Sequence, residues 1–114
     1  MLKKGSIIIC SLPQWNGKEK DRPALLLCQM PGHGDWLACG ISSKLYHEVA
    51  GFDEKISEDD LEFSKTGLKT ASLIRLGFLA TMPDDKIKGA IGSLSSERVQ
   101  RLSKNLSNHI LQNK

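Results

Sequence analysis

The sequence predicts an α+β, mainly β domain: a small, strongly curved barrel or half-barrel with an amphipathic helix at its C-terminal end. Three observations carry this. Five or six short β-branched and apolar runs follow one another, separated by Gly, Pro, Asn and Asp. Only the end of the chain has a sustained helical period, with Val99, Leu102, Leu106 and Ile110 at i, i+3, i+7 and i+11. The chain has 114 residues, 39% hydrophobic and 25% charged, which suits one core and a single domain over residues 1–114.

Ser6 to Leu12 is β-branched and apolar and reads as the first strand, after a turn at Gly5. Pro13 to Asp21 reads as a loop, marked by Pro13, Asn16-Gly17 and four charged residues. Pro23 lacks a backbone donor and suits the first position of a strand, so the second strand is placed at Ala24–Gln29. Its unbroken apolar run, Ala24 to Cys28, predicts a strand covered on both faces. Met30 to Asp35 holds Pro-Gly and Gly-Asp and turns the chain into a third strand, Trp36–Ile41, making a hairpin. Phe52–Ile56 reads as a short strand anchored by Phe52 and Ile56. Ser57 to Phe63 reads as one helical turn with Ser57 as N-cap and acids in its first turn. Ala71–Arg75 and Phe78–Met82 read as two strands joined by Leu76-Gly77. Pro83 opens a short helix to about Ala90, and Ser95 caps the long helix to about Gln112, with Arg98, Arg101, Lys104 and Asn105 on its wet faces.

Composition excludes several classes. Cys10, Cys28 and Cys39 make an odd count with no CxxC pair, which argues against a disulfide framework or a zinc site and for reduced thiols in a cytoplasmic protein. No stretch is long enough to span a membrane, and the apolar run before Pro13 is too short for a signal sequence. His33, His47 and His109 show no metal-binding spacing, so neither a metal nor another cofactor is expected. The net charge of +3 is small, but its distribution is uneven. Residues 1–22 carry five basic and two acidic side chains, residues 53–62 six acidic and one basic, and residues 86–114 six basic and one acidic. Such asymmetry permits an anionic ligand on one face, although charge runs are ordinarily solvated surface.

The candidate chemistry lies where loops meet strand ends. Pro23 holds the preceding residue extended, so Arg22 stands at the mouth of a buried strand, where a guanidinium is suited to gripping phosphate. Taken alone, Arg22 reads first as a surface arginine before an edge strand, since Arg-Pro is common at strand starts. If the second and third strands pair as a hairpin, Arg22 meets Ser42 and Ser43 at one end of the sheet, and an arginine beside hydroxyls makes an oxyanion site. Glu19 and Lys20 lie in the same stretch. Trp36 is expected in the core. Trp15, in the charged loop, is placed either to stack on a base or to fold back on the barrel.

Several pieces in this order, Gly5-Ser6-Ile7-Ile8-Ile9, Arg22-Pro23-Ala24-Leu25-Leu26, Gly40-Ile41-Ser42-Ser43, Leu68 to Arg75, Phe78-Leu79-Ala80-Thr81-Met82 and Ile91 to Ser95, resemble the PemK/MazF toxins of bacterial toxin–antitoxin systems. The resemblance runs from about Lys4 to His109. It implies a barrel resembling SH3 domains, a homodimer, and metal-independent, sequence-selective cleavage of single-stranded RNA. In that reaction the 2′-hydroxyl attacks the adjacent phosphate and leaves 2′,3′-cyclic phosphate and 5′-hydroxyl ends. It also implies an antitoxin protein that covers the RNA groove. Arg22 matches the arginine that stabilises the phosphate and is assigned as proton donor, and Ser42 the hydroxyl residue that hydrogen-bonds it. Ser43 is its neighbour in the motif, and Arg75 matches a second phosphate contact. Lys20, Ser43, Arg75 and Trp15 are thus the expected RNA contacts. The chain departs from the pattern twice. Gly77 stands where some members have an aspartate proposed as base, and the first loop has no histidine. Glu19, the one glutamate in that loop, is therefore the expected base. Arginine, with a pKa above ~12, is a poor proton donor, so catalysis would rest on electrostatics and positioning. The alternative is a barrel that binds RNA or a peptide without cutting.

Overall fold

The computed structural model describes residues 2–13 and 16–112. Six strands, β1 (Ser6–Pro13), β2 (Glu19–Gln29), β3 (Trp36–Ser42), β4 (Glu54–Ile56), β5 (Ser72–Met82) and β6 (Ile87–Ser93), form one antiparallel sheet in the order β4-β5-β3-β2-β1-β6. A four-residue helix, α1 (Phe63–Thr66), precedes β5, and α2 (Ser96–Gln112) ends the chain. The architecture is the mainly β one expected, with its C-terminal helix. The sheet is not closed, however: β4 and β6 remain its two edges.

Alternation along β1, β2 and β3 divides the core in two. Ile7, Leu25, Leu27, Cys39 and Ile41 join Ile74, Leu76, Val99 and Leu102 in a cluster beneath α2. Ile8, Cys10, Ala24, Leu26, Trp36 and Ala38 form a second cluster with Met82. The apolar run of β2 is thus buried on both faces. The Trp36 indole donates from Nε1 to Asp84 Oδ1 at 2.9 Å, which satisfies its polar end.

Several element boundaries differ from expectation. β2 begins at Glu19, so Pro23 sits inside the strand. Residues 19–23 pair only with β1, because the β3 ladder starts at Ala24, and on such an edge the missing donor is tolerated. The two strands expected around Leu76-Gly77 are one strand with a bulge. Gly40 pairs with Arg75 while Cys39 pairs with Leu79, leaving residues 76–78 as extra chain. The buried Asp53 holds that bulge. Its carboxylate accepts from Leu76 N–H at 3.0 Å and from Val49 N–H at 2.9 Å, and the short strand after it starts at Glu54 rather than Phe52.

Ser57 caps no helix. It accepts a turn hydrogen bond from Asp60 N–H, and α1 starts at Phe63. The segment after Pro83 is a single 3₁₀ turn, Asp84–Lys86, followed by β6 rather than a helix to Ala90. β1 offers that segment a free edge, and pairing along it outweighs weak local helix signals. The long helix is as expected, with Ser95 Oγ accepting from Arg98 N–H at 3.4 Å and Ser95 O from Val99 N–H at 3.1 Å. Its apolar stripe stays on the core only to Leu106, and Ile110 is exposed. Arg98 and Asn105 are half-buried rather than on a wet face. Arg98 pairs with Asp60 and with Glu54 and Glu62, and Asn105 donates to Phe52 O at 3.2 Å.

Candidate functional site

At the end of the sheet away from the hairpin turn, the strands open into a groove of about 510 Å³. It is lined by Lys20, Asp21, Arg22 and Pro23 of β2, by Ile41, Ser42 and Ser43 at the end of β3, and by the segment Gly67 to Thr70. Ile9 and Ile91 complete an aliphatic floor, with Ser72 beside them. The β2–β3 register explains the meeting of Arg22 and Ser42. Ala24 pairs with Gly40, and the same register carried two residues further sets Arg22 opposite Ser42. Ser42 Oγ accepts from Lys44 N–H at 3.0 Å, which fixes the turn and leaves its own proton to donate.

The opposite wall is held by close backbone packing. Gly67 ends α1 with φ +73°. A Cβ there would overlap the Ile91 carbonyl, and one on Gly92 would overlap the backbone of Lys65 and Thr66. Thr66 Oγ1 donates to Phe63 O at 2.6 Å and accepts from Leu68 N–H at 3.1 Å, tying the helix end to the segment beyond it. That segment presents Lys69 and Thr70 to the groove. Ser72 Oγ donates to Thr70 O at 2.8 Å and steadies it.

The electrostatics favour an anion. Lys20, Arg22 and Lys69 are three cations on one groove, against the single carboxylate of Asp21 among its described residues. Asp21 accepts from Lys88 Nζ at 2.8 and 2.9 Å and from Ser11 Oγ at 3.0 Å. The hydrogen bonds from Lys88 and then Ser11 hold its carboxyl below the usual range, so it is ionised at neutral pH. Cations, hydroxyls and an aliphatic floor together suit a phosphodiester whose base lies against apolar surface.

The model of PemK-like, MazF-like toxins of type II toxin–antitoxin systems matches residues 3–110. The chain belongs to this toxin family. No curated protein matches it. Among solved structures, it is similar to the Mycobacterium tuberculosis toxin MazF-mt6, with a TM-score of 0.66 and 19% identity over 96% of this chain and 99% of that one. That likeness shows the PemK/MazF fold.

Of the residues expected at the site of this PemK/MazF chain, the groove brings together Arg22, Ser42, Ser43 and Lys20. Glu19 is exposed at the start of β2, paired with Pro13, and does not line it. Arg75 is half-buried opposite Gly40 and also lies off the lining. Trp15 falls outside the described residues. Gly77 lies in the bulge, with nothing within 4 Å of where a Cβ would stand. Among the described residues no group of His, Cys, Asp and Glu is arranged to hold a metal ion, and no helix is long and apolar enough to cross a membrane. Sequence reasoning missed Lys69, Thr70 and Asp21 as groove residues. The signal for the first two was a basic and hydroxyl-bearing run directly after the helix-ending Gly67.

Proposed function

We propose that this toxin is a metal-independent endoribonuclease that cleaves single-stranded RNA at selected sequences. The 2′-hydroxyl attacks the adjacent phosphorus, the P–O5′ bond breaks, and the products carry 2′,3′-cyclic phosphate and 5′-hydroxyl ends. The single observation that carries this reading is the convergence of Arg22, Ser42 and Ser43 on one groove. Arg22 neutralises charge that builds on the phosphate oxygens, and the Ser42 hydroxyl donates to one of them. Ser43 and Lys20 hold the strand, with Arg75 and Trp15 as further RNA contacts. Glu19, next to Lys20 in the chain but off the groove lining, is assigned to take the 2′-hydroxyl proton, and the leaving 5′-oxygen takes up a proton from water. The enzyme acts in the cytoplasm as a homodimer and is neutralised by a cognate antitoxin protein that covers the groove.

A second reading has its own support. Among its described residues the groove has no histidine, and its one carboxylate is tied to Lys88 and Ser11. A protein with this site could hold RNA without cutting it. The deciding experiment is incubation of a long single-stranded RNA with the toxin in EDTA, beside Arg22→Ala and Glu19→Gln. Cleavage at discrete sites with cyclic-phosphate ends, lost by about 10²–10³-fold in Arg22→Ala, is the expected result. Glu19→Gln should fold normally and cut slowly; full activity removes Glu19 as the base. A folded wild type that binds several RNAs and leaves them intact overturns the enzyme in favour of the binding module.

A further inference from the structure

We propose that Lys88 is a positioning residue for RNA: its pairing with Asp21 cancels the carboxylate in the groove, so that a phosphate backbone can lie along Lys20, Arg22 and Lys69. This rests on the RNA reading given above. Asp21 adjoins Arg22 in the chain and lines the same groove. An uncompensated charge there opposes the anion that Arg22 attracts. Lys88 comes from β6, two strands away, and reaches past β1 to contact both oxygens of Asp21 at 2.8 and 2.9 Å. Ser11, on the intervening β1, donates to the same carboxylate at 3.0 Å.

Stability does not explain the arrangement. The two side chains are 58% and 51% exposed, and ion pairs so solvated contribute little to folding. Their effect is felt instead by a charged ligand arriving beside them. The same exposure means that either residue can be replaced without emptying the core.

The test is binding of a fluorescent, random-sequence pool of single-stranded RNA, fully 2′-O-methylated so that it cannot be cleaved. Wild type, Lys88→Ala, Asp21→Asn and the double variant are titrated at one fixed, low salt concentration. Lys88→Ala should bind about fivefold more weakly, the weight of one like-charge contact at ~4 Å in water. The double variant should return to within about twofold of wild type, and Lys88→Arg should match it. If Lys88→Ala binds as the wild type does, the inference is wrong. If the double variant stays as weak as Lys88→Ala, Lys88 touches phosphate itself and the inference is again wrong. A wild type that does not bind the pool overturns the RNA reading, and this inference with it.

Discussion

Replacing Gly92 by alanine tests whether backbone packing between β6 and the end of α1 shapes the groove. Gly92 pairs with Ile7 in the sheet, and the carbonyls and backbone of Lys65 and Thr66 occupy the space where its Cβ would stand. Ordinary carbon contacts need ~3.5 Å, so the end of α1 has to retreat by about 1 Å. The strain of such overpacking is about 1–3 kcal/mol. In a domain of this size that lowers Tm by about 5–15 °C and leaves a folded protein. The retreat carries Leu68, Lys69 and Thr70 with it, since Thr66 ties them to the helix. A misplacement of ~1 Å in a positioning element costs about 10²-fold in rate. Gly89→Ala is the control: it lies on the same strand with nothing within 4 Å of its would-be Cβ, so its stability should change by no more than ~0.5 kcal/mol. Thermal melts and RNA cleavage are measured side by side. A Gly92→Ala protein with the melting point and cleavage rate of Gly89→Ala would falsify the claim that this contact sets the wall of the groove.

Two further outcomes test the scaffold. Asp53→Asn puts an amide N–H₂ against one of the two backbone donors the carboxylate now satisfies, at Val49 or Leu76. It should cost about 2–4 kcal/mol, read as a lower urea midpoint with an unchanged m-value, and an unchanged midpoint contradicts the staple. Burial, with the Asp53 charge adding to it, pushes the Cys39 thiol up to about 12. In native protein at pH 8 a maleimide should therefore label the partly exposed Cys28 well before Cys39. The raised thiol pKa stabilises the fold below the ordinary value of 9.0, and that contribution is lost as pH climbs from there towards 12. Cys39→Ala should flatten this alkaline decline, and a decline of equal steepness in the variant assigns it elsewhere.

Much of the fold could be read from the chain because its local signals agree with tertiary pairing. The runs at β1, β2 and β3 are β-branched or apolar, their turns are rich in Gly and Pro, and the period of α2 is unambiguous. Errors arose where pairing overrides local preference. β6 contains Gly89 and Gly92 and follows Pro83-Asp84-Asp85, a helix-opening pattern, yet it is a strand because β1 has an edge to fill. The bulge at Leu76 to Phe78 looks like a break in sequence, since nothing local announces that Asp53, far away in the chain, supplies its hydrogen bond. The meeting of Arg22 with Ser42 and Ser43 followed from a hairpin register, which sequence can supply. Lys69 and Thr70 were hidden because their placement depends on α1 resting against β6, where Gly67 meets the backbone of Ile91 and Gly92 that of Lys65 and Thr66, a contact that leaves no side-chain pattern.

The acidic segment explains why a chain of modest net charge can present a cationic groove. Left solvated, residues 53–62 would weaken attraction for an anion over a Debye length of ~10 Å. Three of the segment's acids, Glu54, Asp60 and Glu62, are instead engaged by α2. Arg98 pairs with Asp60, Glu54 and Glu62, and Arg101 makes two hydrogen bonds to Glu54, at 2.7 and 3.0 Å. A hydrogen bond from Glu62 N–H and the Arg98 guanidinium hold the Asp60 carboxyl below its ordinary range, as expected of a carboxylate kept ionised by its partners. The acid that lines the groove among its described residues, Asp21, has Lys88. Asp21, Glu54, Asp60 and Glu62 are thus matched by basic residues from the C-terminal third. Lys20, Arg22 and Lys69 line the groove. The charge asymmetry of the sequence is in this sense a division of labour among its basic residues, and the RNA reading depends on the share that the groove retains.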